Sequence, residues 1–162
     1  MEKQGMGLDK LKNEYDVLRQ KFNLPEFKEM NEDFHIDKLA EMETEIMIRE
    51  IRRFLGDKLM NYMRFVENLL NPVNVPMFVF SIVKLLDAEQ KKKLEEIYKE
   101  LMKNEMKFIK LDLEFDEKEE AKFIKDSFDF WQKTKKDLLK IIEKINSKWD
   151  EKSETNGKGY FG

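Results

Sequence analysis

From about residue 37 to residue 150 the apolar side chains recur every three or four positions, and the strongest interruption is Asn71-Pro72-Val73-Asn74-Val75-Pro76. That spacing is the mark of amphipathic helices. No stretch reads as a sheet. The chain is predicted to be all-α: three long helices, at about 37–70, 87–113 and 116–150, in an antiparallel bundle. Short helices at about 8–22, 25–32 and 76–86 complete it.

Local signals set the boundaries. Leu8, Leu11, Tyr15, Leu18 and Phe22 form a narrow seam of the coiled-coil kind, able to pack on its own bundle or to zip to another chain. Asn23-Leu24-Pro25 stops that helix, with Pro25 placed to open the next. The first long helix carries Met47, Ile51, Phe54, Leu55, Leu59, Tyr62, Phe65, Val66 and Leu69 as its main stripe. Gly56, in mid-helix, predicts a close approach by a neighbouring helix. Asp87 with Gln90, and Asp116 with Glu119, are capping-box starts for the last two long helices. Leu111-Asp112-Leu113-Glu114-Phe115 marks the reversal between them. Residues 1–150 read as one domain, and 151–162, polar with glycines, as a disordered tail.

Composition narrows the function classes. A net charge of −3 over 162 residues argues neither for a generic nucleic-acid binder nor for an acidic tail protein. The absence of cysteine removes disulfide scaffolds and thiolate metal sites, and fits a reducing, cytoplasmic setting. Met1-Glu2-Lys3-Gln4-Gly5 lacks a signal-peptide core, and the apolar run from Val73 to Leu86 is too short for a bilayer. Lys/Glu enrichment is compatible with a thermophile or with an A/T-rich genome. A Gly-rich phosphate loop, a nucleophile elbow and a His-containing triad are all missing, so no enzyme, cofactor or small-molecule substrate is expected.

Tyr15…Phe22-Asn23-Leu24-Pro25-Glu26-Phe27 and the Asn71-Pro72…Pro76-Met77-Phe78 junction resemble those of uncharacterised all-helical proteins from archaea. The resemblance implies an all-helical fold over most of the chain and supplies no catalytic or binding residue.

Four constellations are candidate sites. On the fifth helix, Leu94, Ile97, Tyr98, Leu101, Phe108 and Ile109 define a face with Glu105 and Asp112 in its middle. Buried carboxylates need partners, and a polar layer with Lys58, Ser127 and Thr134 would supply them. Arg49, Arg52 and Arg53 cluster away from the main stripe, where Glu45 and Glu50 can pair with them or a phosphate can bind. Lys99, Lys103 and Lys107 on the fifth helix, and Lys133, Lys136 and Lys140 on the last, form ridges. These are solvated faces or a contact for RNA or the ribosome. Finally, Val73, Val75, Met77, Phe78, Phe80 and Val83 belong to a segment too apolar for one helix face to hide. It is either a plug buried between long helices or an exposed patch for a protein partner or a homodimer. Glu32-x-x-His35 has a di-iron spacing, but the chain has only one histidine, and His35 reads as a capping or surface residue rather than a metal ligand. The expected function is therefore non-enzymatic protein–protein interaction, with nucleic-acid or ribosome association as the alternative.

Overall fold

The apolar stripes fold back on one another. The computed structural model describes residues 5–157. In chain order they form α1 (Leu8–Phe22), α2 (Phe27–Phe34), a 3-10 turn (Ile36–Glu41), α3 (Met47–Leu70), α4 (Met77–Val83), α5 (Ala88–Leu113) and α6 (Glu117–Gly157). Among the described residues there is no strand, and no helix is long and apolar enough to cross a membrane. The long helices α3, α5 and α6 pack against one another around Ile51, Leu55, Leu59, Leu94, Leu101 and Ile124, all sealed from solvent.

The N-terminal elements cover one end of α3. Leu11 and Tyr15 of α1 are buried with Met30 and Phe34 of α2 and with Ile36 and Leu39 of the 3-10 turn. The middle of the α1 seam is thus spent inside the chain, while Leu18 and Phe22 are half-buried and Leu8 is exposed. Tyr15 donates its hydroxyl proton to the Pro25 carbonyl at 2.7 Å, and its burial pushes the phenol far above the ordinary tyrosine range. Glu26 and Glu29 make a capping box at the start of α2, two residues later than Pro25 suggested. His35 ends α2 in the left-handed region at φ 52°, as a capping residue.

Further boundaries differ from expectation. The first long helix starts at Met47 rather than near Asp37, because the chain is a 3-10 turn to Glu41 and then extends through Met42. The Thr44 hydroxyl accepts from the Ile46 amide at 3.3 Å, a local bond that competes with continuing a helix. α4 is shorter than predicted, ending at Val83. α6 runs to Gly157, so residues 151–157 are helical and not a disordered tail. That stretch has Glu, Lys and Ser but no breaker before Gly157. The rest of the expected tail, 158–162, lies outside the described residues.

The capping box at the start of α5 is complete, and at the start of α6 the Asp116 half of the box is formed. Asp87 accepts from the Gln90 amide at 2.8 Å and Gln90 accepts from the Asp87 amide at 2.9 Å. Asp116 accepts from the amides of Lys118 and Glu119. Gly56 lets α5 approach, because a Cβ there would collide with the ring of Phe108.

Candidate functional site

The connection between α3 and α5 is the most exposed apolar surface. Leu69 before it, and Leu85 and Leu86 after it, are buried, so both ends of the segment are anchored. Lys148 of α6 donates to the Leu85 carbonyl at 2.9 Å and ties down the C-terminal end. Between these anchors no residue of α4 is buried. Val73, Met77, Phe78 and Phe80 are 70%, 83%, 60% and 38% exposed, while Val75 and Val83 are half-buried. Of the two readings of this segment, the buried plug is wrong. The long helices already fill the space between themselves, and α4 is left on the outside.

A second site lies at the opposite end of α3, inside the core, where the sequence predicts a surface cluster. Arg52 is fully buried, not displayed beside the stripe. Its Nε donates to Glu120 Oε2 at 2.7 Å and its Nη2 to Asp112 Oδ1 at 2.8 Å, and the guanidinium lies 4.6 Å from the centroid of the Phe108 ring. Glu120, on the first turn of α6, is fully buried too. Burial pushes its carboxyl above the ordinary range, while the hydrogen bonds and charge of Arg52 pull the other way. Arg52 keeps its proton at neutral pH, and its charge and hydrogen bonds at 2.7 Å oppose protonation of Glu120. Arg49 lies over the ring of Phe115 at 5.6 Å, and Arg53 pairs with Glu50 at 2.8 Å. The expected partner Glu45 is exposed and makes no such bond. Arg52 Nη1 and Arg49 Nε are buried without a hydrogen-bond partner in the chain.

The predicted polar layer is therefore redistributed. Asp112 is partly exposed and bound to Arg52, not to Lys58. Glu105 is only half-buried and unpaired, whereas Ser127 and Thr134 are buried, with Asn104 donating to the Ser127 hydroxyl at 2.8 Å. Lys58 turns towards α2 instead. Its ammonium donates to the Asp33 carbonyl and sits 5.5 Å and 5.8 Å from the ring centroids of Phe34 and Trp131. Burial holds Lys58 below the ordinary lysine range, with Lys135 adding to the effect and Asp33 opposing it. The Asp33 carboxylate accepts from Gln132 at 2.7 Å and from Lys135 at 2.9 Å. Burial works to raise its pKa, but these bonds and the two lysine charges outweigh that and hold it below the usual carboxylate range.

Ile109 is a further correction. The spacing puts it on the inward face of α5, but it is exposed, and Leu111 is buried in its stead. The inward face is Leu94, Ile97, Leu101, Phe108 and Leu111, because α5 sits between α3 on one flank and α6 on the other. Leu111 lies on the α6 side, where the cleft between α5 and α6 has Phe123 as its other apolar wall.

The lysines of both ridges are exposed. Lys107, Lys110 and Lys122 line one side chain-walled cleft of about 500 Å³, but Glu114, Asp116, Glu119 and Asp126 line it as well. Lys140 shares a second cleft with Lys92, Lys93 and Lys144, again with Glu89, Glu96 and Asp137 between them. A salt bridge of 3.2 Å joins Lys93 to Asp137 across that cleft. The two helices do bring their lysines together, and they bring as many acids with them. Among the described residues no group of three or more His, Asp or Glu side chains is arranged to hold a metal ion.

Comparison of the chain with protein-family models, with curated proteins and with solved structures finds no match.

Proposed function

We propose that this chain is a non-catalytic binding protein that engages another protein through residues 73–83. The observation that carries this reading is α4, a helix with Met77, Phe78 and Phe80 in solvent and none of its residues buried. Contiguous exposed apolar surface on a water-soluble molecule marks an interaction site. Anchoring by Leu69, Leu85 and Leu86 presents the patch on a fixed base. No charged residue occurs between Val73 and Val83, so the segment has nothing with which to grip a phosphate or a carboxylate. The partner it suits is a protein offering an apolar groove into which α4 lies, as in helix-in-groove recognition.

A photo-crosslinking residue at position 78, with one at exposed Val17 as control, tests this. The expected result is a discrete protein adduct from position 78 alone, competed away by the wild-type chain and not by a Phe78→Asp variant. Failure to form an adduct would overturn the proposal. So would Phe78-dependent sedimentation with phospholipid vesicles, which would make the patch a membrane contact.

A further inference from the structure

Helix α5 carries a second apolar stripe on its outward side. Met102, Met106, Ile109 and Leu113 follow one another at spacings of four, three and four. At 100° per residue this stripe is centred about 135° from the buried one. Met106, Ile109 and Leu113 are 56%, 41% and 85% exposed, and Met102 is half-buried. An amphipathic helix facing only its own core puts polar residues there. The alternation of four and three is the a/d spacing of a coiled coil, with Met106 and Leu113 at a and Met102 and Ile109 at d.

The flanks of this stripe differ in sign. In that register Lys103 and Lys110 occupy the e positions, and Glu105 and Asp112 the g positions. Two such helices side by side in parallel bring a g residue of one against the following e residue of the other. Glu105 of one copy then meets Lys110 of the other, and symmetry repeats the pair. An antiparallel arrangement sets acid flank against acid flank and lysine flank against lysine flank. Within the chain Asp112 is taken by Arg52 and Lys103 by Glu100. The side chains of Glu105 and Lys110 make no hydrogen bond or ion pair within it. The two groups that a parallel pairing needs are thus the two left unpaired.

We infer that α5 pairs in parallel with α5 of a second copy of this chain through Met102, Met106, Ile109 and Leu113. The seam covers fewer than two heptads, so the dimer is weak and concentration-dependent. Its two-fold axis runs along α5 and places both copies of α4 at the same end. This inference does not depend on what α4 binds.

Sedimentation equilibrium of the full chain over a concentration series, with a redox crosslink, tests it. The average mass is expected to rise from one chain towards two. Ile109→Glu weakens the dimer roughly tenfold or more, while circular dichroism and thermal midpoint stay those of the wild type, because the side chain faces solvent. Glu105→Lys alone and Lys110→Glu alone each weaken association, and an equimolar mixture of the two restores it. The chain has no cysteine, so Leu113→Cys reports geometry directly: position 113 lies at one end of the seam, and only parallel pairing lets two copies join there by a disulfide. A single-chain mass at every concentration, indifference to Ile109→Glu, no recovery in the mixture, or no disulfide at position 113 would each overturn the inference. Phe78→Asp leaves the dimer intact, so failure here and failure of the α4 reading are told apart.

Discussion

Replacing Arg52 by methionine keeps most of the buried aliphatic volume and removes the guanidinium bonded to Glu120, which is wholly enclosed, leaving only the unbonded charge of Arg49 to act on it. Breaking a buried pair in this way costs about 3–5 kcal/mol. The carboxyl has one escape, which is to take up a proton. Neutralising a glutamate of ordinary pKa, about 4.3, costs roughly 3.7 kcal/mol at pH 7 and roughly 1 kcal/mol at pH 5. The electrostatic penalty of Arg52→Met should therefore be close to 4 kcal/mol at neutral pH and shrink towards 1 kcal/mol in mild acid. The sign follows from linkage: without Arg52 the folded-state pKa of Glu120 rises well above the unfolded value. The folded form then binds the proton more tightly, and stability is recovered as pH falls and lost as it rises. Asp112 adds little, since it is partly exposed and can hydrate. Urea denaturation of wild type and variant at pH 5 and pH 7 measures the two deficits. In a thermal scan the neutral-pH loss corresponds to a midpoint drop of about 8–16 °C. Combining Arg52→Met with Glu120→Leu should restore most of the loss, because an apolar pair of similar volume is close to neutral in such settings. A deficit equal at both pH values, or below about 1 kcal/mol at pH 7, would show that Glu120 is not confined as described.

Gly56→Ala should destabilise the fold by about 1–3 kcal/mol, reversing the helix-propensity gain, because the added methyl meets the Phe108 ring; denaturant titration checks the sign. Asp33→Asn should cost about 1.5–3 kcal/mol by weakening the bonds from Lys135 and Gln132. Since the pKa of Asp33 is lowered in the folded state, its contribution is present above the unfolded value of about 3.9 and disappears as pH falls below it. The wild-type and Asp33→Asn stability curves should therefore converge in strong acid. Tyr15→Phe should cost about 1 kcal/mol through loss of the bond to the Pro25 carbonyl, read by the same titration and by faster amide exchange in α1 and α2.

The long helices, their order and their caps could be read from spacing alone, because a stripe such as Ile51-Leu55-Leu59 and a box such as Asp87–Gln90 are local signals. Gly56 was readable for the same reason, as a mid-helix glycine that needs a neighbour. The position of Arg52 was not readable. Arginine among helix residues reads as surface, and the acid that draws it inside, Glu120, lies 68 residues away on another helix. The rotation of α5 was misjudged where Glu105, Asp112 and Ile109 were centred, since the face a helix buries depends on where its two neighbours stand. The outward Met102-Met106-Ile109-Leu113 stripe does have a signal, the four-three-four spacing, which the lysines interleaved with it mask. The 73–86 segment was ambiguous in principle: apolar content cannot tell a plug from a patch until the volume already filled by other helices is known.

A greasy rod can slide along or roll in a greasy groove at little cost, so an apolar stripe by itself leaves the placement of α6 loosely defined. Two polar pegs remove that freedom. Glu120 is fastened to Arg52, and about 18–22 Å further along the same rod Gln132 and Lys135 are fastened to Asp33. Shifting α6 by one turn would unplug both at once and strand charges in the interior. The longest helix of the protein is thereby indexed like a key with two teeth, and only one insertion depth turns.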